Sequence, residues 1–165
     1  MDLFSNLNPD AEVLHTNKLC ELQVKYTRNR DAEPKQAIRG SSDCFRYFHQ
    51  LFSEELGIID HREAFAILLL DRANNIICHY VVSIGGIAGT VADPKIIFQA
   101  ALLANASAMI LCHNHPSGNK TPSQADRTIT AKLVNAGRAL DLPVLDHIIL
   151  VEHGYYSFSD EGDLH

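Results

Sequence analysis

Hydrophobic and polar positions change period several times along the chain, and each change marks an element. Leu22, Val24 and Tyr26 alternate with Gln23, Lys25 and Thr27, the period of a strand with one face in a core and the other in water. Residues 1–18 show no sustained period and read as an N-terminal arm. Phe45, Phe48, His49, Leu51, Phe52 and Leu56 recur near helical spacing; Ser41 and Ser42 can cap that helix and Gly57 can end it. The stretch "EAFAILLLDRANNIICHYVVSI" holds two strand runs, 63–70 and 76–84, around the polar turn "DRANN". That turn is too short for a crossover helix, so the pair is predicted to be an antiparallel hairpin. Pro94 suits the first turn of the apolar helix "KIIFQAALLANA", and a strand over 108–114 follows it. Pro116 and Gly118 interrupt that strand before a helix from about 123 to 140, with Ile129, Leu133, Val134, Gly137 and Leu140 on its packing face. Two last strands are predicted in "VLDHIILVEH" and "YYSFS". Helices alternating with strands, one connection being a hairpin, imply an α/β domain with a mixed sheet over 19–165. The pattern does not order the strands.

A chain of 165 residues suits one domain with a full core. Hydrophobic residues at 46% and charged residues at 21% exclude the disordered and fibrous classes. No apolar run is long enough to span a membrane and no basic lead precedes an apolar signal core, so the expected compartment is the cytoplasm and no membrane partner is expected. Cys20, Cys44, Cys78 and Cys112 form neither a CxxC pair nor a disulfide framework and read as buried thiols. A formal net charge of -6 counts against a nucleic-acid binder. The balance is uneven: Lys18, Lys25, Arg28, Arg30, Lys35 and Arg39 cluster early, whereas 141–165 holds six acidic residues and no lysine or arginine. The early cluster is either a polyanion-binding edge or a solvated face. Nothing in the pattern sets an oligomeric state.

The chemistry concentrates in "LCHNHPSGNKTPSQAD", residues 111–126. On a strand, His113 and His115 point to one side while Cys112 and Asn114 point to the other. Pro116 ends regular pairing, which brings both imidazoles to a strand end where a loop can leave room for substrate. Asp126 falls about one turn into the next helix. If that helix folds back over the strand, two imidazoles, a carboxylate and water can make a tetrahedral catalytic zinc site. A second reading uses the same residues. Thr121 or Ser123 can be the helix N-cap, Pro122 can occupy the first turn, and Asp126 can complement the positive helix end. Capping does not require two same-side histidines, nor the abrupt change from "AMILC" to "HNHPSG". Glu63 opens the first hairpin strand, as a surface residue or as a base passing a proton from water to a leaving amine. His79 and His153 lack local partners and read as structural or solvent-facing. Gly85, Gly86 and Gly89 suggest bends near a cleft, without a phosphate-binding fingerprint.

His113, His115, Ser123 and Asp126, with Glu63 upstream, follow an H-x-H, seven-residue gap, S-x-x-D arrangement that resembles the JAMM/MPN (JAB) metalloproteases. The fuller "HNHPSGNKTPSQAD", the following helix and "LDHIIL" resemble the RadC-like branch, historically labelled DNA repair proteins, over approximately 20–160. The resemblance implies a three-layer domain with a central mixed, largely antiparallel sheet flanked by helices. It implies one Zn2+ held by His113, His115 and Asp126, with Glu63 activating the water held by the metal and Ser123 stabilising the developing oxyanion. Asp146 or His147, in the "DHI" element, would orient an imidazole, sheet packing being the alternative for both. The implied activity is hydrolysis of a peptide or isopeptide bond in an unidentified substrate. Two other readings stay open. One is a DNA repair-associated nucleic-acid-binding module, although fuller RadC-like chains typically add an amino-terminal helix-hairpin-helix region for which this chain leaves no room. The other is a metal-stabilised interaction module without catalysis.

Overall fold

The computed structural model describes residues 36–86 and 89–165, together with the backbone of two strands nearer the amino end. Contacts divide the chain into two units, Met1–Glu33 and Pro34–His165. In the first, β1 (Glu12–Thr16) pairs antiparallel with β2 (Cys20–Val24). The strand expected at 22–26 therefore begins two residues earlier, and a strand occurs in the stretch that read as an arm. β1 owes its hydrogen bonds to pairing with β2, which periodicity within "EVLHT" does not reveal. Lys18, Lys25, Arg28, Arg30 and Lys35 of the basic cluster lie outside the described residues.

The second unit begins with α1 (Ser41–Gln50), which continues into a π-helical turn over Leu51–Glu55. Then follow β3 (Ala64–Leu70), β4 (Ile76–Ile84), α2 (Pro94–Leu103), β5 (Ala108–Asn114), α3 (Gln124–Ala139), β6 (Val144–Val151) and β7 (Gly154–Ser157). The N-cap of α1 is Gly40 rather than Ser41 or Ser42, and no side chain caps it. The Ser41 hydroxyl bonds Tyr155 and Asp160 instead, tying the helix start to the chain's end. Gly57 leaves the helical region at φ +62°, a conformation that glycine enters without a Cβ penalty.

The sheet order is β4-β3-β5-β6-β7, and only β5 and β6 run parallel. Asp71 closes the β3–β4 hairpin by accepting from the backbone of Ala73 and Asn75. β4 and β5 both run antiparallel to β3, so α2 must carry the chain across β3. α3 makes the parallel crossover from β5 to β6. Both helices cover one face, where Ile97, Phe98, Ala101, Leu133 and Val134 pack on Phe65, Ile67, Leu69, Met109 and Leu111. α1 and its π turn cover the other, with Phe48, Leu51 and Phe52 against Ala66, Leu68, Leu70, Ile110 and Ile148. Burial on both faces explains why β3 and β5 read as unbroken apolar runs rather than alternating ones. The result is the mixed, mostly antiparallel three-layer arrangement of the JAMM/MPN type. Cys44 and Cys112 are buried, but Cys78 is exposed on the edge strand β4, contrary to the expectation of buried thiols. No described helix is long and apolar enough to cross a membrane.

Candidate metal centre

The end of β5 brings the two histidines together. His113, 4% exposed, stacks on Phe65, its partner in β3, with the rings 5° from parallel. The His115 amide donates to the Leu150 carbonyl at 2.8 Å, extending the β5–β6 pairing by one residue before Pro116 stops it. The chain then turns, and the Asn119 carbonyl meets His115 Nδ1 at 2.6 Å. Ser123 is the N-cap of α3: its Oγ accepts the Asp126 amide at 3.2 Å, while Asp126 Oδ2 accepts the Ser123 amide at 2.7 Å. This reciprocal cap fixes the Asp126 carboxylate over the strand end. His113 Nε2 lies 3.2 Å from Asp126 Oδ1, His115 Nε2 lies 3.6 Å from Asp126 Oδ2, and the two Nε2 atoms are 3.0 Å apart. Capping and clustering, alternatives in the sequence, are one arrangement in the fold.

Burial opposes ionisation of Asp126, but hydrogen bonds from His113 and His115 overcome it and hold the carboxyl well below its ordinary range. Burial likewise works against a charged His115, yet Asp126, the Asn119 carbonyl and the Glu63 charge raise its pKa. Two imidazole nitrogens and a carboxylate, with one atom from each inside a 4.8 Å span, fit a small divalent cation. Among the described residues this group has three His, Cys, Asp or Glu members.

Of the "DHI" pair, His147 meets the cluster and Asp146 does not. His147 is fully buried and its Nε2 lies 2.9 Å from His113 Nδ1. Burial and the neighbouring His113 push its pKa down. Asp146 instead accepts from the Ser157 hydroxyl and the amides of His147 and Ser159; burial raises its pKa.

Glu63 is half-buried and immediately precedes β3. Continuing the register from Phe65↔His113 by two residues on each strand sets Glu63 opposite His115, on the same face as both histidines. The glycine bend lies against it. Gly85 donates to the Glu63 carbonyl at 2.7 Å and the Glu63 amide donates to Gly86 at 3.0 Å. A Cβ at Gly85 would fall 2.0 Å from the Gly89 carbonyl oxygen, so this fold of the loop requires glycine there. His79 lies outside the site and bonds Tyr47 at 2.8 Å, and His153 is exposed.

Sequence reasoning passed over two residues. Asn114, fully buried on the opposite side of β5, accepts the Ala64 amide at 2.8 Å and donates to the Ile59 and Arg62 carbonyls at 3.0 and 2.8 Å. It takes the rung of the β3–β5 ladder just beyond Phe65↔His113 and anchors the turn leading into Glu63. Thr130 contacts both the Asp126 carbonyl and His147 Nδ1. Its signal was its position four residues after Asp126, on the same helix face.

The three-layer fold and the His-His-Asp cluster together define a JAMM/MPN-type domain with a candidate metal-binding triad. The family model described as the RadC-like JAB domain matches residues 38–163, and the chain belongs to this family. It is 43% identical over 135 residues to a UPF0758 protein of Flavobacterium johnsoniae, covering 82% of this chain and 57% of that protein. A UPF0758 protein of Methanosarcina mazei is 37% identical over 130 residues, 79% of this chain and 55% of its own length. The UPF0758 protein YfjY of Escherichia coli K12 is 46% identical over 101 residues, 61% of this chain and 63% of its own. The matched region thus spans between about half and two thirds of these relatives.

Proposed function

We propose that this domain is a zinc-dependent hydrolase of peptide or isopeptide bonds, with His113, His115 and Asp126 as the metal ligands. The supporting observation is the convergence of three protein donors, beside the strand register that sets Glu63 across from His115. Bound zinc would supply Lewis-acid polarisation of the scissile carbonyl and lower the pKa of a water from ~15.7 to about 7. Glu63 takes the proton of the attacking water and returns it to the leaving nitrogen. Ser123 Oγ is only an acceptor in the helix cap, so its own proton is left for the substrate oxygen as that atom gains charge. Phe65 and His147 wall the back of the site, excluding water behind His113. A closed structural zinc site would need a fourth protein donor, and the described cluster has three.

The test compares zinc-loaded wild type and Glu63→Gln on a library of peptides and isopeptide-linked peptides. The expected result is unchanged zinc stoichiometry with turnover lower by about 10²–10⁴ in the variant. Equal turnover removes Glu63 from the mechanism, and a zinc-loaded wild type that cleaves no member of the library refutes the peptidase assignment.

A further inference from the structure

Behind the ligand set lies a closed ring of contacts: Asp126 carboxylate, His113, His147, Thr130 and the Asp126 carbonyl. The direction of each hydrogen bond follows from what its end groups can do. A carbonyl only accepts, so the single Thr130 hydroxyl proton goes to the Asp126 carbonyl, 2.5 Å away. The proton between Thr130 Oγ1 and His147 Nδ1, 2.6 Å apart, must then come from the ring. A neutral imidazole has one N–H, so His147 Nε2 is an acceptor and His113 Nδ1, at 2.9 Å, is its donor. His113 is thereby committed to carry a proton on Nδ1, and Nε2 is the nitrogen turned to the cluster, where a cation would replace the proton it shares with the Asp126 carboxylate 3.2 Å away. An independent contact gives the same outcome at His115, where the Asn119 carbonyl takes the Nδ1 proton and leaves Nε2 as the nitrogen turned to the cluster.

We infer that Thr130 is a positioning residue that sets the tautomer of His113 through His147 and so arms the cluster for metal. Asp126 sits at both ends of the ring: its carboxylate joins the ligand set, and its carbonyl fixes the proton that orders the imidazoles. Where α3 sits and which nitrogen of His113 a metal can take are therefore one property. Phe158 and Phe65 flank His147 with apolar ring faces, leaving Thr130 and His113 as the groups on its two nitrogens. Removing the Thr130 hydroxyl strands the His147 Nδ1 proton. His147 then gains by moving that proton to Nε2, which turns His113 over to its Nε2–H form and blocks a ligand atom.

This inference rests on the proposed metal site, and its test separates the two. Thr130→Val keeps shape and removes the hydroxyl, Thr130→Ser restores it, and Thr130→Ala is a second deletion should valine disturb folding. Zinc affinity is read by competition with a chromophoric chelator, and side-chain nitrogen NMR of the metal-free proteins reads whether His113 Nδ1 carries its proton. The expected result is a 10–100-fold loss of zinc affinity in Thr130→Val and Thr130→Ala, with recovery to within about threefold in Thr130→Ser. The metal-free deletion variants should show His113 moved towards the Nε2–H form. Deletion variants that bind zinc within about threefold of wild type, or that keep the wild-type His113 tautomer, overturn the inference. A wild type that binds no zinc refutes the proposed function alone, because the metal-free tautomer still decides the role of Thr130.

Discussion

Replacing Asn114 with alanine removes a side chain that touches no ligand atom but ties together the strands that carry them. Three hydrogen bonds disappear. The Ala64 amide and the Ile59 carbonyl lie in buried surroundings and lose their partners outright, whereas the Arg62 carbonyl belongs to an exposed residue and regains water. At about 1–3 kcal/mol for each stranded group, the substitution costs about 2–6 kcal/mol. That is a large share of the roughly 5–15 kcal/mol typical of a folded domain. With a urea dependence of about 1–3 kcal/mol per molar, the unfolding midpoint should fall by at least on the order of 1 M. Asn114→Asp sharpens the reasoning. Its carboxylate still accepts the Ala64 amide, but it faces two carbonyl oxygens with no proton to offer. Its folded pKa should therefore rise above the ordinary value of about 3.9. A group with a raised folded pKa contributes stability fully below its unfolded pKa and loses it as pH climbs through the folded one. Relative to Asn114→Ala, the aspartate variant should thus weaken steadily as pH rises above about 4. Urea titrations of the metal-free proteins above that pH decide it. An alanine variant within about 0.5 kcal/mol of wild type, or alanine and aspartate profiles that stay parallel, would refute the reasoning.

Two further predictions concern the cluster. Zinc at about a hundred times its dissociation constant should stabilise wild type by about 2.7 kcal/mol, and a chelator should reverse the gain. His115→Ala should abolish the shift, and a wild-type melting midpoint that saturating zinc leaves unmoved would count against the ligand set. Ser123→Ala should cost about 0.5–2 kcal/mol in stability through the lost cap and about 10²–10³ in turnover through the lost oxyanion donor. The stability loss with turnover within about twofold of wild type would leave the residue its cap alone.

Periodicity and punctuation made most elements of the second unit legible. The strands at 76–84 and 108–114 fall where alternation, Pro94 and Pro116 put them, because such local signals determine what the backbone can do. The start of α1 was misassigned for a long-range reason: Ser41 was expected to cap the helix, but its hydroxyl is taken by Tyr155 and Asp160 over a hundred positions away. The ligand cluster was legible because the spacing of His113, His115, Ser123 and Asp126 is itself local, one strand end and one helix start. Glu63 is different. Only the β3–β5 register, a pairing between residues about fifty positions apart, sets it across from His115, and no pattern within either strand specifies that register.

His147 shows how far such non-local geometry reaches. β5 pairs with β6 as Met109↔Val144 and then Ile110↔Asp146, so Leu145 is an extra residue, exposed to solvent, and the alternation of β6 changes sides there. Val144 packs under α2 and α3, yet Ile148 and Leu150 belong to the opposite layer with α1. Had alternation run unbroken from Val144, the positions of Ile148 and Leu150 would have shared its face, and His147 would have pointed towards α1. The shift at Leu145 turns His147 to α3 instead, where Thr130 meets Nδ1 and His113 meets Nε2. It sends Asp146 the other way, to Ser157 and Ser159. In "VLDHIIL" Leu145 looks like any strand residue, and Asp146 and His147 look interchangeable as partners for an imidazole. One unpaired residue, set by how β6 meets β5, makes His147 the partner of His113 and leaves Asp146 to brace β6 against the chain's end.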